Sequence, residues 1–156
     1  MTIIEAIDKI NELKPNDYAQ NDKIAWLSTC DGIIQRNIVD KHSVREYAPY
    51  DMPVPPPQKD DMSWTLDLGK PPMPIPAENR PEFKGYDEHT DLNTKLLAYP
   101  PYDELYITWL ESKIDYYNGE YTKYNNAVLA FNDQMQAFEN DYNRRHIPLG
   151  RRIRYY

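Results

Sequence analysis

Apolar residues recur every three or four positions at both ends of this chain, and the recurrence stops in the middle. Near the start, Ile3, Ile4, Ile7, Ile10 and Leu13 mark one face of an amphipathic helix over residues 2–14. Thr2 and Glu5 have the spacing of a capping box, in which each side chain accepts the other residue's backbone N–H. Pro15 and Asn16 break the helix. A second helix is expected from Asn16 or Asp17 to about Val39, with Ile24, Leu27, Ile34 and Ile38 as its stripe and Trp26 and Ile33 beside it. Gly32 inside it costs about 1 kcal/mol relative to Ala, which points to close packing there.

From Pro101 a longer stripe begins: Tyr106, Leu110, Ile114, Tyr117, Tyr121, Tyr124, Val128, Phe131, Met135, Phe138 and Tyr142. After a first step of four, its steps alternate between four and three, a heptad-like repeat that passes Asn118-Gly119 without losing phase. Two readings fit: one long helix kinked near Gly119, or two helices meeting at an Asn-Gly turn. The unbroken phase favours the long helix. Such a helix would be about 60 Å long, more than a small domain shields, so part of the stripe is expected to meet another chain.

Residues 49–81 hold ten of the fourteen prolines, which rules out a long helix or a central strand. "SWTLDL" (Ser63 to Leu68) alternates like a strand and ends at a Gly69-Lys70 turn; "PEFKGY" and "KLLAY" are further short-strand candidates. The other reading of the segment is a disordered Pro-rich linker. The expected fold is mainly α, a helical bundle with a long C-terminal helix and an inserted Pro-rich arm carrying a small β element. It is read as one domain: helices in 1–47, the arm in 48–99, the long helix or helix pair in 100–146, and a basic tail in 147–156.

Composition adjusts this picture. Leu, Ile, Val and Phe number only 31 of 156 residues, close to the range of disordered chains, but 14 Tyr and 3 Trp supply large rings for a core or an interface. The net charge is −7, and all five charged residues after Asn143 are Arg, so residues 1–143 carry 13 basic against 25 acidic side chains. An acidic body argues against general nucleic-acid binding. The tail could contact phosphate, dock on an acidic neighbour, or be a solvated terminus. One cysteine, Cys30, permits no disulfide within the chain, and no apolar run is long enough to span a membrane.

Candidate chemistry is sparse. His42, His89 and His146 have no zinc-ligand spacing, and the five glycines form no phosphate loop. Asp87, Glu88, His89 and Asp91 are read as a solvated loop rather than a cation site. Cys30 beside Asp31 is read as an inert thiol rather than a nucleophile, because no cation or His is evident to activate it. The expectation is a protein without enzymatic activity or cofactor.

Three stretches carry a resemblance: "NDKIAWLSTCDGIIQRNIV", "GYDEHTDLNTKLLAYPPYDELYITWLESKIDYYNGEYTKYNNAVLAFN" and "YNRRHIP". They resemble the head–tail connector proteins, or head-completion neck adaptors, of tailed bacteriophages infecting Gram-positive bacteria. The resemblance covers about two thirds of the chain; the Pro-rich arm, residues 49–81, has no match in it. It implies a virion protein in the neck, made in the host bacterial cytoplasm. It implies a homo-oligomeric ring, commonly twelve-fold, joining the portal to a tail-side neck protein and passing double-stranded DNA without binding it specifically. Acidic walls would keep DNA from sticking in such a channel. The resemblance places the C-terminal region against the portal, and this is carried onto Arg144, Arg145, Ile147, Arg151, Arg152, Ile153, Arg154, Tyr155 and Tyr156. Tyr106, Tyr117, Tyr121, Tyr124, Phe131, Phe138 and Tyr142 are expected to form the core stripe or the subunit interface. The competing readings are a tail-side stopper or tail-completion protein and, less favoured, a small nucleic-acid-binding module.

Overall fold

The computed structural model describes residues 1–46 and 83–148. Within them the fold is mainly helical: α1 (Ile3–Leu13), α2 (Gln20–Asn37), α3 (Leu105–Tyr117) and α4 (Tyr121–Arg145). A 3-10 turn (Val39–Lys41) leads from α2 into strand β1 (His42–Glu46), which pairs antiparallel with β2 (His146–Pro148) directly after α4. "SWTLDL", the Gly69-Lys70 turn and residues 149–156 lie outside the described residues.

Helix α1 starts as its sequence predicts. The Glu5 N–H donates to Thr2 Oγ1 (3.3 Å) and the Thr2 N–H to Glu5 Oε2 (2.8 Å), closing the capping box. Two more first-turn donors are satisfied from outside the helix: Ile3 N–H by Thr94 O (3.1 Å) and Ile4 N–H by Leu92 O (3.0 Å). "KLLAY" follows directly, and in place of forming a strand its Leu96 N–H donates to Met1 O (3.1 Å). Lys95 makes one isolated bridge with Thr2, and the rest of residues 83–99 is irregular backbone laid over the helices.

The long helix expected through Gly119 is two helices. At the end of α3, Gly119 N–H donates to Tyr116 O (3.1 Å) and Glu120 N–H to Asp115 O (2.9 Å), the paired bonds of a Schellman turn. That turn needs a left-handed residue after the cap, and Gly119 supplies it at φ +75°. The chain then doubles back. Tyr116 meets Tyr124, Trp109 meets Phe131, and Tyr102, just before α3, meets Phe138, so the chain runs back along α4 antiparallel to α3. The continuous phase misled because the residues bridging the gap, Tyr117 and Tyr121, are 59% and 64% exposed.

Ile3, Ile7 and Ile10 of α1, Ile24, Leu27 and Ile34 of α2, Leu105, Tyr106, Leu110 and Ile114 of α3, and Phe131 and Phe138 of α4 form one core. Each such aliphatic side chain contributes about 1.5–3 kcal/mol on burial. Gly32 is not a point of tight approach, since an added Cβ would meet Phe83 only at ordinary contact, 3.8 Å. Gly85 is: it sits at φ +82°, and a Cβ there would come within 2.9 Å of Ser28 Oγ.

Candidate interaction surface

The second half of the fold is fixed by a buried acid. Asp31 lies on the α2 face that also carries Leu27 and Ile34, and it is fully buried. Its Oδ1 accepts from the Tyr106 hydroxyl (2.5 Å) and its Oδ2 from the Tyr86 hydroxyl (2.5 Å) and the Leu97 N–H (3.2 Å). The Tyr106 oxygen in turn accepts from the Ala98 N–H (2.7 Å). Ser28, one turn earlier, accepts from the Tyr86 N–H (2.8 Å). One acid thus ties α2, α3 and residues 86–98 together.

Burial pushes the Asp31 carboxyl above its ordinary range, opposed by the Tyr106, Tyr86 and Leu97 hydrogen bonds that favour the anion. Burial and the same carboxylate raise both tyrosine hydroxyls, so each stays a donor. Burial, with Asp31 adding to it, holds Cys30 well above the usual thiol value. Cys30 is therefore a neutral, inaccessible thiol, and the network is structural.

The loop acids are used locally. Asp87 Oδ1 accepts from the His89 N–H (3.0 Å) and the Thr90 hydroxyl (3.0 Å), and Asp91 Oδ1 from the Asn93 N–H (2.9 Å). Among the described residues no three His, Cys, Asp or Glu side chains gather as metal ligands.

Two exposed surfaces stand out instead. The first lies where the α1–α2 connection meets the α3–α4 turn, joined by a Tyr18 hydroxyl bond to Asn118 Oδ1 (2.8 Å) and by the Lys14–Asp115 ion pair. Here Trp26 stacks on Tyr117 (5.5 Å between ring centres, 14° between planes). Tyr18 packs edge-on to Trp26 at 5.4 Å, Tyr116 to Tyr117 at 5.4 Å, and Tyr124 lies 5.5 Å from Tyr116. Beside this row opens a hollow of about 400 Å³ lined by Pro15, Asn16, Asp17, Tyr18 and Asn118.

The second surface is the outer face of α4. Between Asn125 and Asn143 its exposed positions are Asn125, Asn126, Leu129, Asn132, Asp133, Gln136, Ala137, Asn140 and Asn143. Asp133 is the single charge among them, in a chain that is 28% charged. Leu129 is 63% exposed at its middle.

The predicted stripe therefore divides. Tyr106, Phe131 and Phe138 are buried in the core; Tyr124 and Tyr142 are half-buried; Tyr117 and Tyr121 face outward at the turn. Of the predicted tail contacts, Arg144 and Arg145 are exposed at the end of α4. Arg145 pairs with Asp141 (2.9 Å) and lies 5.2 Å from the centre of the Tyr99 ring. Ile147 belongs to β2. Arg151, Arg152, Ile153, Arg154, Tyr155 and Tyr156 lie outside the described residues. Sequence reasoning missed the cluster that half-buried Tyr18 and Trp26 form with the exposed Tyr116 and Tyr117, and Asp31 as a keystone. The available signal for Asp31 was its spacing, four after Leu27 and three before Ile34, which puts an acid on an apolar stripe.

No protein-family model matches this chain, and no curated protein or solved structure matches it either. Among the described residues no helix is long and apolar enough to cross a membrane.

Proposed function

We propose that this chain is a structural subunit of a phage neck. Copies of it form a ring that joins the portal of the head to the tail and extends the DNA channel. The observation that carries the reading is the charge-poor outer face of α4. A solvent-facing helix in so charged a chain would be expected to carry Lys and Glu, whereas depletion of charge marks the centre of protein–protein interfaces. The helix is about 37 Å long, enough to pack along a neighbouring subunit. The resemblance of the three sequence stretches to neck adaptors supplies the kind of assembly. The basic C-terminal region, Arg144 to Tyr156, is the portion proposed to reach the portal.

Light scattering on the purified protein, alone and mixed with the portal protein of the same phage, tests the proposal. The expected result is a complex holding many copies per portal. Leu129→Lys combined with Asn132→Lys should reduce the copy number while leaving the helix signal unchanged. Absence of association with portal, with the wild-type chain folded, would remove the adaptor reading.

A further inference from the structure

We infer that the outer face of α4 packs antiparallel on the outer face of α2 in the next copy of this chain, with Asp133 paired to that copy's Arg36 and Arg144 to its Asp22. The inference rests on the ring reading and names the two faces that meet. On α2 the exposed residues Asp22, Ala25, Thr29 and Arg36 fall within a sector of about 60°. On α4 the exposed residues Asp133, Ala137, Asn140 and Arg144 fall within a sector of about the same width. Each line runs from one acid to one base with uncharged side chains between them. Protein interfaces have that arrangement, a centre depleted of charge and a polar rim.

These four charges are not used within the molecule. Among the described residues none of Asp22, Arg36, Asp133 and Arg144 is in an ion pair, whereas Arg145, next to Arg144, pairs with Asp141. The two faces are separate surfaces, because α3 stands between α2 and α4. The Trp109 indole N–H of α3 donates to Trp26 O of α2 (2.7 Å), and the Trp109 ring packs on Phe131 of α4 with 5.0 Å between centres.

The order of the charges selects the alignment. Both lines carry the acid toward the helix N-terminus and the base toward the C-terminus. Parallel packing would set acid against acid and base against base, which is costly; antiparallel packing sets each acid against a base. The spacings agree. Asp22 and Arg36 are 14 residues apart, about 21 Å along the helix, and Asp133 and Arg144 are 11 apart, about 16 Å. Centred on each other, the lines differ by about 2 Å at each end, which an arginine side chain takes up. Pairing α4 with α4, or α2 with α2, across a two-fold axis matches charge as well, but it uses one face twice and closes at two copies. A ring needs two different faces on each copy, and α2 and α4 supply them. The contact also takes Arg144 out of the portion proposed to reach the portal.

The test uses two full-length variants, Ala25→Cys and Asn140→Cys, each about one turn inside an end charge. Both positions are exposed, so the fold tolerates the changes. Cys30 is buried and its thiol is held well up, so it stays unreactive. The two variants are mixed, with and without the portal protein of the same phage, and treated with a short bis-maleimide; the products are mapped by mass spectrometry. The expected product is a crosslink between positions 25 and 140 of different copies, formed only in the mixture. Arg36→Asp in the Ala25→Cys chain should lower its yield about tenfold, and Asp133→Arg in the Asn140→Cys chain should restore it. A crosslinked homodimer of Asn140→Cys, a yield indifferent to the charge reversals, or no crosslink in either condition overturns the inference. Assembly on the portal without the crosslink overturns it and leaves the neck reading standing. The crosslink without any association with portal supports it and removes the neck reading.

Discussion

Removing the carboxylate of Asp31 should loosen the contact between the two halves of the protein. Asp31→Ala takes the acceptor from three donors: the Tyr106 and Tyr86 hydroxyls, each at 2.5 Å, and the Leu97 N–H at 3.2 Å. A hydrogen bond to a charged group is worth about 1.5–3 kcal/mol net. Tyr86 is only partly buried and regains a partner from water, whereas Tyr106 is fully buried and does not. Working the other way, the substitution relieves a buried charge whose carboxyl is already pushed up by burial. The balance is a loss of about 3 kcal/mol, which for a chain of this size lowers Tm by about 6–12 °C. Tyr106→Phe removes the bridging hydroxyl and leaves the buried Ala98 N–H without an acceptor, at a cost of about 2 kcal/mol. Because the two residues share one network, the double variant should lose less than the two single variants added, by about 1 kcal/mol or more. Urea unfolding followed by far-ultraviolet circular dichroism measures all three. Additivity within about 0.5 kcal/mol, or an Asp31→Ala loss below that figure, would refute the reasoning.

Three further outcomes are expected. Gly119→Ala meets no atom within 4 Å but must hold φ +75°, so it should cost about 1–2 kcal/mol in a urea titration, with Gly119→Asn costing less. Thr2→Ala opens the capping box and should cost about 1 kcal/mol, read the same way, with a loss confined to amide protection in the first turn of α1. The hydroxyls of Tyr86, Tyr99 and Tyr106 are all raised above their ordinary value of 10.0 by burial, aided by Asp31 or Asp141. A raised value means that the stability they lend is complete below pH 10 and is lost as pH climbs past it. Absorbance at the tyrosinate band should therefore rise for these residues only as the helical signal falls.

Much of the fold was legible where local chemistry alone decides it. The Thr2–Glu5 box and the isoleucine spacing defined α1, and the stripe of Ile24, Leu27 and Ile34 defined the core of α2. The break at Gly119 was an open alternative, and the tyrosines outweighed it because periodicity does not distinguish a ring packed inside from one standing at an exposed turn. The ribbon escaped notice because β2 is three residues long and ends in a proline, so its pairing with β1 depends on α4 delivering it there. Asp31 was visible as an acid beside a cysteine. Its meaning came from Tyr86 and Tyr106, which lie 55 and 75 residues away in the chain. The exposed rings stand at the α3–α4 turn, where Tyr116, Tyr117 and Tyr121 face outward, rather than along the flank of an overlong helix.

The attachment of residues 83–86 to α2, together with the pairing of β1, also bears on how far this protein can vary. Glu46, in β1, and Phe83, against Gly32, are both anchored on the helical body, so the number of residues between them enters stability through the entropy of joining two fixed points. That entropy grows with the logarithm of length, and doubling the stretch would cost about 0.6 kcal/mol. This is well under the cost expected for losing Asp31. By this term alone, the spacing of the two anchors leaves the helical body tolerant of a change in the number of residues that join them.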